Sequence, residues 1–154
     1  VSGGLATSSS PLVGETGKPA PGFDLPGLTN SAPTVSLAEF RGKPLVINFW
    51  ASWCIPCRTE MPLVEQAYRA HHGTVQFLGI DSNDSSGPAM AFLRQVHVNY
   101  PTASDSKVLV ANSYGLFGLP TTIFVSPSGK IVGRYIGQMH GSTLEDALKE
   151  AFHD

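Results

Sequence analysis

The stretch Leu45-Val46-Ile47-Asn48-Phe49-Trp50-Ala51-Ser52-Trp53-Cys54-Ile55-Pro56-Cys57 decides what this chain can be. Residues 45–50 are apolar with one polar break at Asn48, the pattern of a strand buried on both faces of a sheet. Beyond the second cysteine, Arg58 to His71 carries Met61, Val64, Ala67 and Tyr68 at helical spacing and stops near Gly73, which predicts a helix. Cys54 therefore follows directly on a buried strand, and Cys57 falls in the opening turn of a helix. These are the two cysteines of a 154-residue chain. A disulfide closing so short a loop constrains the unfolded chain little, because that effect grows with loop length. The value of the pair should be chemical rather than structural.

The junction supplies that chemistry. Unpaired N–H groups and the dipole at a helix start favour negative charge, which stabilises a thiolate at Cys54. Activated cysteines have pKa values from about 3.5 to 7.5, against an ordinary value of about 8.5. Ile55 and Pro56 bring no charge, and Pro56 suits a first turn, where a missing N–H costs little. The two-residue spacer lets the sulfurs meet, so the pair can cycle between dithiol and disulfide. Other uses fit less well. Structural zinc needs four ligands, yet there is no second cysteine pair, and His71 and His72 are adjacent rather than spaced as finger ligands. A peroxide-reducing site wants a single activated cysteine with its own hydroxyl or arginine partner upstream, which Trp50-Ala51-Ser52-Trp53 and a second cysteine do not suit. An inert reduced pair in a core would leave both thiols unreactive.

Outward from this centre, the chain reads as one α/β domain. The hydrophobic share is 42% and the charged share 14%, which excludes a disordered chain. A net charge of −2 with no basic block gives no purchase on nucleic acid or an anionic membrane, and no apolar run approaches the roughly 18 to 20 residues of a membrane span. Residues 1–22 are rich in Ser, Gly and Pro and read as a flexible leader or tether; residues 23–154 form the domain. The leader shows no signal peptide, and numbering opens at Val1 without Met, as in a mature or trimmed chain. Phe23-Asp24-Leu25 and Thr34 to Leu37 predict two short strands or a hairpin, and Val75 to Ile80 a second buried strand. Pro88 to Val98 predicts a helix and Lys107 to Tyr114 a shorter one. Thr121 to Val125 and Lys130 to Ile136 are strands around the turn Ser126-Pro127-Ser128-Gly129. Ser142 and Glu145 stand at capping-box spacing before a last helix that reaches about Phe152. This order gives a mixed central sheet with helices on both faces.

The residues now in hand resemble a known family. Trp50-Ala51-Ser52-Trp53-Cys54-Ile55-Pro56-Cys57 after an apolar strand resembles the thioredoxin active-site stretch, and Gly118-Leu119-Pro120-Thr121-Thr122 resembles the loop that carries that family's cis-proline. Gly17-Lys18-Pro19-Ala20-Pro21, Val35-Ser36-Leu37 and Phe40-Arg41-Gly42-Lys43-Pro44 resemble the front half of the TlpA/ResA/DsbE-like branch, so the likeness spans about residues 17–153. It implies a thioredoxin-like three-layer sandwich. It also implies that Cys54 is the exposed nucleophile, Cys57 the resolving thiol, and Pro120 the cis-proline of a substrate groove bordered by Trp53, Pro56 and Leu119. Two departures stand out. Asn48 occupies the place of the buried Asp of thioredoxin and cannot take a proton; the branch instead places an acid after the next strand, and the match here is Asp84, with Asp81 as the alternative and helix capping as the other use of Asp84. Leu119 is bulky for the residue before the cis-proline, which restricts the partners that fit. Glu60 reads as a helix-surface charge, Pro62 as a structural kink, and the five histidines as surface or fold positions.

Members of this branch are membrane-tethered or exported thiol reductases, several serving cytochrome c maturation. The resemblance therefore implies an extracytoplasmic protein disulfide reductase, monomeric, held by a tether outside this chain, acting on a disulfide-containing client and recharged by an upstream thiol donor. The cysteines carry the electrons, so the chemistry calls for no bound cofactor or metal. Two alternatives stay open: a disulfide oxidase or isomerase for exported proteins, since the motif does not set the direction, and a Cu(I)-binding thiol chaperone.

Overall fold

The computed structural model describes residues 12–13, 17–28 and 33–152. Its elements run Lys18–Pro19 (β1), Asp24–Pro26 (β2), Thr34–Ser36 (β3), a 3-10 turn Leu37–Phe40, Leu45–Trp50 (β4), Ile55–Ala70 (α1), Gln76–Ser82 (β5), Ser86–Val96 (α2), Thr102–Asp105 (β6), Leu109–Ser113 (α3), Thr121–Val125 (β7), Lys130–Ile136 (β8) and Thr143–Phe152 (α4). Six strands form one sheet in the order β1-β8-β7-β4-β5-β6, and β2 and β3 form a separate hairpin. β4, β5 and β6 are parallel neighbours, as their helical crossovers α1 and α2 require, while β7 and β8 join antiparallel on the other side of β4. The result is the expected α/β sandwich with a mixed central sheet.

β4 is buried at every position, and its alternation divides the core. Val46 and Trp50 face a layer that includes Met61, Val64 and Ala67 of α1, Phe92 of α2 and Leu144 and Leu148 of α4. Leu45, Ile47 and Phe49 face the other layer, with Val110 and Ala111 of α3 and Val35 of the hairpin. Asn48 falls in the first series, so its amide points toward α1.

Several expectations need correction. Of the leader assigned to residues 1–22, residues 1–11 and 14–16 lie outside the described residues, but Val13 bridges Arg134 and Lys18–Pro19 pair antiparallel with β8. The folded part therefore begins before residue 22. A Pro-containing dipeptide on a sheet edge carries no periodic signal, so the pattern could not show it. β6 was not anticipated either. Its residues Thr-Ala-Ser-Asp are mostly polar, yet three of the four are buried because β5 and local hydrogen bonds satisfy them. Asp105 alone accepts from Ser82 Oγ, Val110 N and Ala111 N, joining β5, β6 and α3. The capping box is not formed: Glu145 turns to His71 Nε2 at 2.9 Å, and the Ser142 hydroxyl meets Asp146.

Candidate active site

α1 begins at Ile55, earlier than the apolar spacing indicated, because Cys54 itself caps it. Cys54 has extended backbone angles (φ −92°, ψ 108°), and its Sγ accepts the Cys57 N–H at 3.3 Å. A sulfur replaces the usual capping oxygen, at the point where the helix presents its free N–H groups. Cys54 and Cys57 are joined in a disulfide. Cys57 is fully covered and Cys54 keeps 5% of its surface, so Cys54 is far less open than the resemblance implied. Pro56 sits in the first turn, where it costs no hydrogen bond, and α1 runs on through Pro62.

The rim is apolar and open. Trp53 is 57% exposed and Ile55 76%, so Trp53 is not a core residue; its indole Nε1 donates to Asn83 O at 2.8 Å. The Leu119–Pro120 peptide is cis. β7 begins one residue later, with Thr121 opposite Phe49, which sets Pro120 level with the end of β4 where the cysteine loop departs. Gly137 N donates to Pro120 O at 2.9 Å, and the Thr121 hydroxyl to Gly118 O at 2.7 Å, holding that loop from both sides. Leu119 is half-buried against both core layers, whereas Phe117, two residues before it, is 89% exposed.

The acids behind the disulfide are placed differently from expectation. Glu60 is not a surface charge: it is 1% exposed. Its Oε1 accepts from Asn48 Nδ2 at 2.9 Å and its Oε2 from Met139 N at 2.9 Å, while Asn48 Nδ2 also donates to Thr122 Oγ1 at 3.1 Å. Burial pushes the Glu60 carboxyl up to about 7, against the downward pull of the Met139 N–H and the Asn48 amide. Glu60 lies three residues after Cys57 on the same face of α1, one helical turn further along, with burial holding its carboxyl pKa near neutrality. The signal was present: Cys57, Glu60, Met61 and Val64 follow the spacing i, i+3, i+4, i+7, which puts Glu60 within the buried stripe.

Asp84 stands at the active-site loop, but as a clamp. It accepts from Ser52 N at 2.7 Å, Ser52 Oγ at 2.9 Å and Ser85 N at 2.9 Å. Burial would raise its pKa, but bonds from Asp81, Ser52 and Ser85 outweigh burial and hold it below the usual carboxylate range. Asp81 lies inside β5 rather than after it, and is fully buried. Burial first, and then the Asp84 carboxyl beside it, push Asp81 up to about 9. At neutral pH Asp84 thus holds its charge and Asp81 its proton, and Glu60 is the acid matched to proton exchange. Among the described residues no cluster of three His, Cys, Asp or Glu side chains could hold a metal, and no helix is long and apolar enough to cross a membrane.

A disulfide at a helix N-terminus, a cis-proline loop level with it and a buried acid on the next turn make an arrangement that can exchange disulfides with another thiol pair. Comparison with known proteins agrees. The AhpC/TSA family profile matches residues 16–134. The thiol-disulfide oxidoreductase ResA of Bacillus thuringiensis subsp. konkukian is 30% identical over 137 residues, 88% of this chain and 78% of that protein. The thiol:disulfide interchange protein DsbE of Pseudomonas fluorescens is 34% identical over 133 residues, 86% of this chain and 72% of that protein. A crystal structure from Chlorobium tepidum superposes with a TM-score of 0.82 at 31% identity, over 89% of this chain and 97% of that one. A secreted Mycobacterium tuberculosis disulfide oxidoreductase homologous to DsbE superposes with a TM-score of 0.71 at 25% identity, over 84% of this chain and 94% of that one. The chain therefore belongs to the AhpC/TSA family of thioredoxin-like proteins, as a thiol-disulfide oxidoreductase of the ResA/DsbE type.

Proposed function

We propose that this oxidoreductase is an extracytoplasmic reductase of protein disulfides, with cytochrome c maturation as its setting, and that it works as a monomer held by a tether outside this chain. In this reading the Cys54 thiolate attacks a client disulfide: one client sulfur bonds to Cys54, and the other leaves as a thiolate and takes a proton. Cys57 then loses its proton to Glu60 and attacks Cys54 Sγ, which forms the Cys54–Cys57 disulfide, breaks the bond between Cys54 and the client and releases that client sulfur as a thiolate. An upstream thiol donor restores the dithiol. Trp53, Pro56, Leu119 and Pro120 shape the groove that receives the client, and Asp84 supports the loop before Cys54.

The observation that carries the direction is the plainness of the Cys54 surroundings. Its sulfur receives one N–H, from Cys57, and the spacer Ile55-Pro56 brings no charge. A strongly oxidising couple needs a strongly stabilised thiolate, and each 1.4 kcal/mol of such stabilisation is worth about 30 mV. The extracytoplasmic setting draws support from the secreted relative in Mycobacterium tuberculosis. The test is a redox titration of the Cys54/Cys57 couple together with reduction of a protein disulfide. The expected potential is more negative than about −180 mV, with activity lost in Cys54→Ser and a trapped mixed disulfide in Cys57→Ser; a value near −120 mV would assign the protein to disulfide formation instead.

A further inference from the structure

Asp81 is a carboxyl that the exchange chemistry does not use. It has no exposed surface, and neither of its oxygens accepts a hydrogen bond from any N–H or O–H of the described chain. A buried carboxylate with no donor is costly and holds its place only if it stays neutral. Its register partner on β4 is Trp50, and alternation along β5 sets it on the face of Phe77, which packs on α1 and the cysteines. The group it meets is the carboxyl of Asp84. Two carboxyls in contact cannot both ionise without strong repulsion. Asp84 takes three donors and Asp81 takes none, so the charge belongs on Asp84 and the proton on Asp81.

We propose that Asp81 is a positioning residue of the disulfide exchange: as a neutral buried acid it donates to the Asp84 carboxylate and so aims it at Ser52, fixing the loop that delivers Trp53 and Cys54. This rests on the reading of Cys54 as the attacking thiol. The turn between β5 and α2 is gripped on both sides. Asn83, held at φ +57°, receives the Trp53 indole on its carbonyl and donates its own N–H to Asp105 O. Asp84 takes both the amide and the hydroxyl of Ser52, two residues before the nucleophile. Removing the proton from Asp81 would delete the donor behind Asp84 and set a second negative charge against it. The charged groups acting on Asp81 are Asp84 in the same turn and Asp105 at the end of β6; its neighbours in register, Trp50 and Ser104, carry none. Burial and these two acids place the loss of that proton near pH 9.

The test compares wild type, Asp81→Ala and Asp81→Asn in reduction of a protein disulfide between pH 6.5 and 10, with 13C NMR of aspartate carboxyls over the same range. Asp81→Ala is expected to slow Cys54 attack about tenfold. Asp81→Asn, whose amide is a permanent donor to Asp84, is expected to restore the rate to within about twofold. Above pH 9 wild type should fall relative to Asp81→Asn, and the spectrum should show one aspartate titrating near 9 that is missing in Asp81→Asn. An Asp81 carboxyl that titrates in the ordinary range, or an Asp81→Asn variant as slow as Asp81→Ala, overturns the proposal. No disulfide reduction by wild type at any pH would instead refute the assignment of Cys54, with the NMR titration still reporting on Asp81.

Discussion

In the exchange proposed above, Glu60 takes the proton that the covered thiol must lose. Cys57 has no exposed surface, so solvent cannot take that proton directly, while Glu60 sits one helical turn away with a pKa raised by burial to about 7. Its base form grows as pH rises through 7. Release of client from a preformed mixed disulfide is therefore expected to accelerate across that range in wild type. Glu60→Gln should be about 100-fold slower at pH 7.5 and flat there, as measured by single-turnover quenching. Trp53 makes a second prediction. At 57% exposed it contributes to the rim rather than to the core. Trp53→Ala should change stability by less than about 1 kcal/mol in a denaturant titration, yet raise KM for a disulfide-containing peptide several-fold. At this scale the two cysteines are legible from local pattern, and Pro120 from the family resemblance. Glu60 reads as surface by its charge although its place in the buried stripe says otherwise, and Asp81 reads as lying past the strand because its side chain is polar.

Among the elements, β5 and β6 do the least visible work for the site. Gly79 of β5 is needed for space: a Cβ there would lie 2.8 Å from Trp50 Nε1 and 2.9 Å from Thr102 Cγ2. Gly79→Ala is therefore expected to destabilise by about 1–3 kcal/mol and lower Tm by several degrees, because the indole just ahead of the cysteine loop must shift. Asp105→Ala would strip partners from Ser82 Oγ, Val110 N and Ala111 N at once. An expected loss of about 3 kcal/mol, read by urea denaturation, follows from leaving those buried donors unsatisfied. The strands and helices with strong apolar periodicity were readable in advance. β6 was not, because a strand whose buried residues are polar resembles a loop until its partners are known.

For the whole molecule, the buried acids set the pH dependence of stability. Glu60 and Asp81 have folded pKa values raised to about 7 and about 9, from ordinary values of 4.5 and 3.8. Between the ordinary and the folded values the native state binds more protons than the unfolded one, so stability falls as pH rises through those windows. Asp84 and Glu65 act oppositely: burial raises both, but hydrogen bonds outweigh it, so their contribution is present above the ordinary carboxylate range and lost as pH falls below it. Tm is expected to peak on the acid side of neutrality and decline toward pH 9, with a shallower decline in Asp81→Asn, as calorimetry across pH would show.

By itself the sequence determined the sandwich and the redox pair, because both rest on local rules. A buried strand, a helix start and two sulfurs three residues apart are all read within one short stretch. Only the tertiary structure decided which acids are buried, Glu60 and Asp81, and which one, Asp84, binds the loop before Cys54. Burial and hydrogen-bond partners, not residue type, set the pKa of a carboxyl, and Asn48, Met139 and Ser52 reach those acids across the fold from distant parts of the chain.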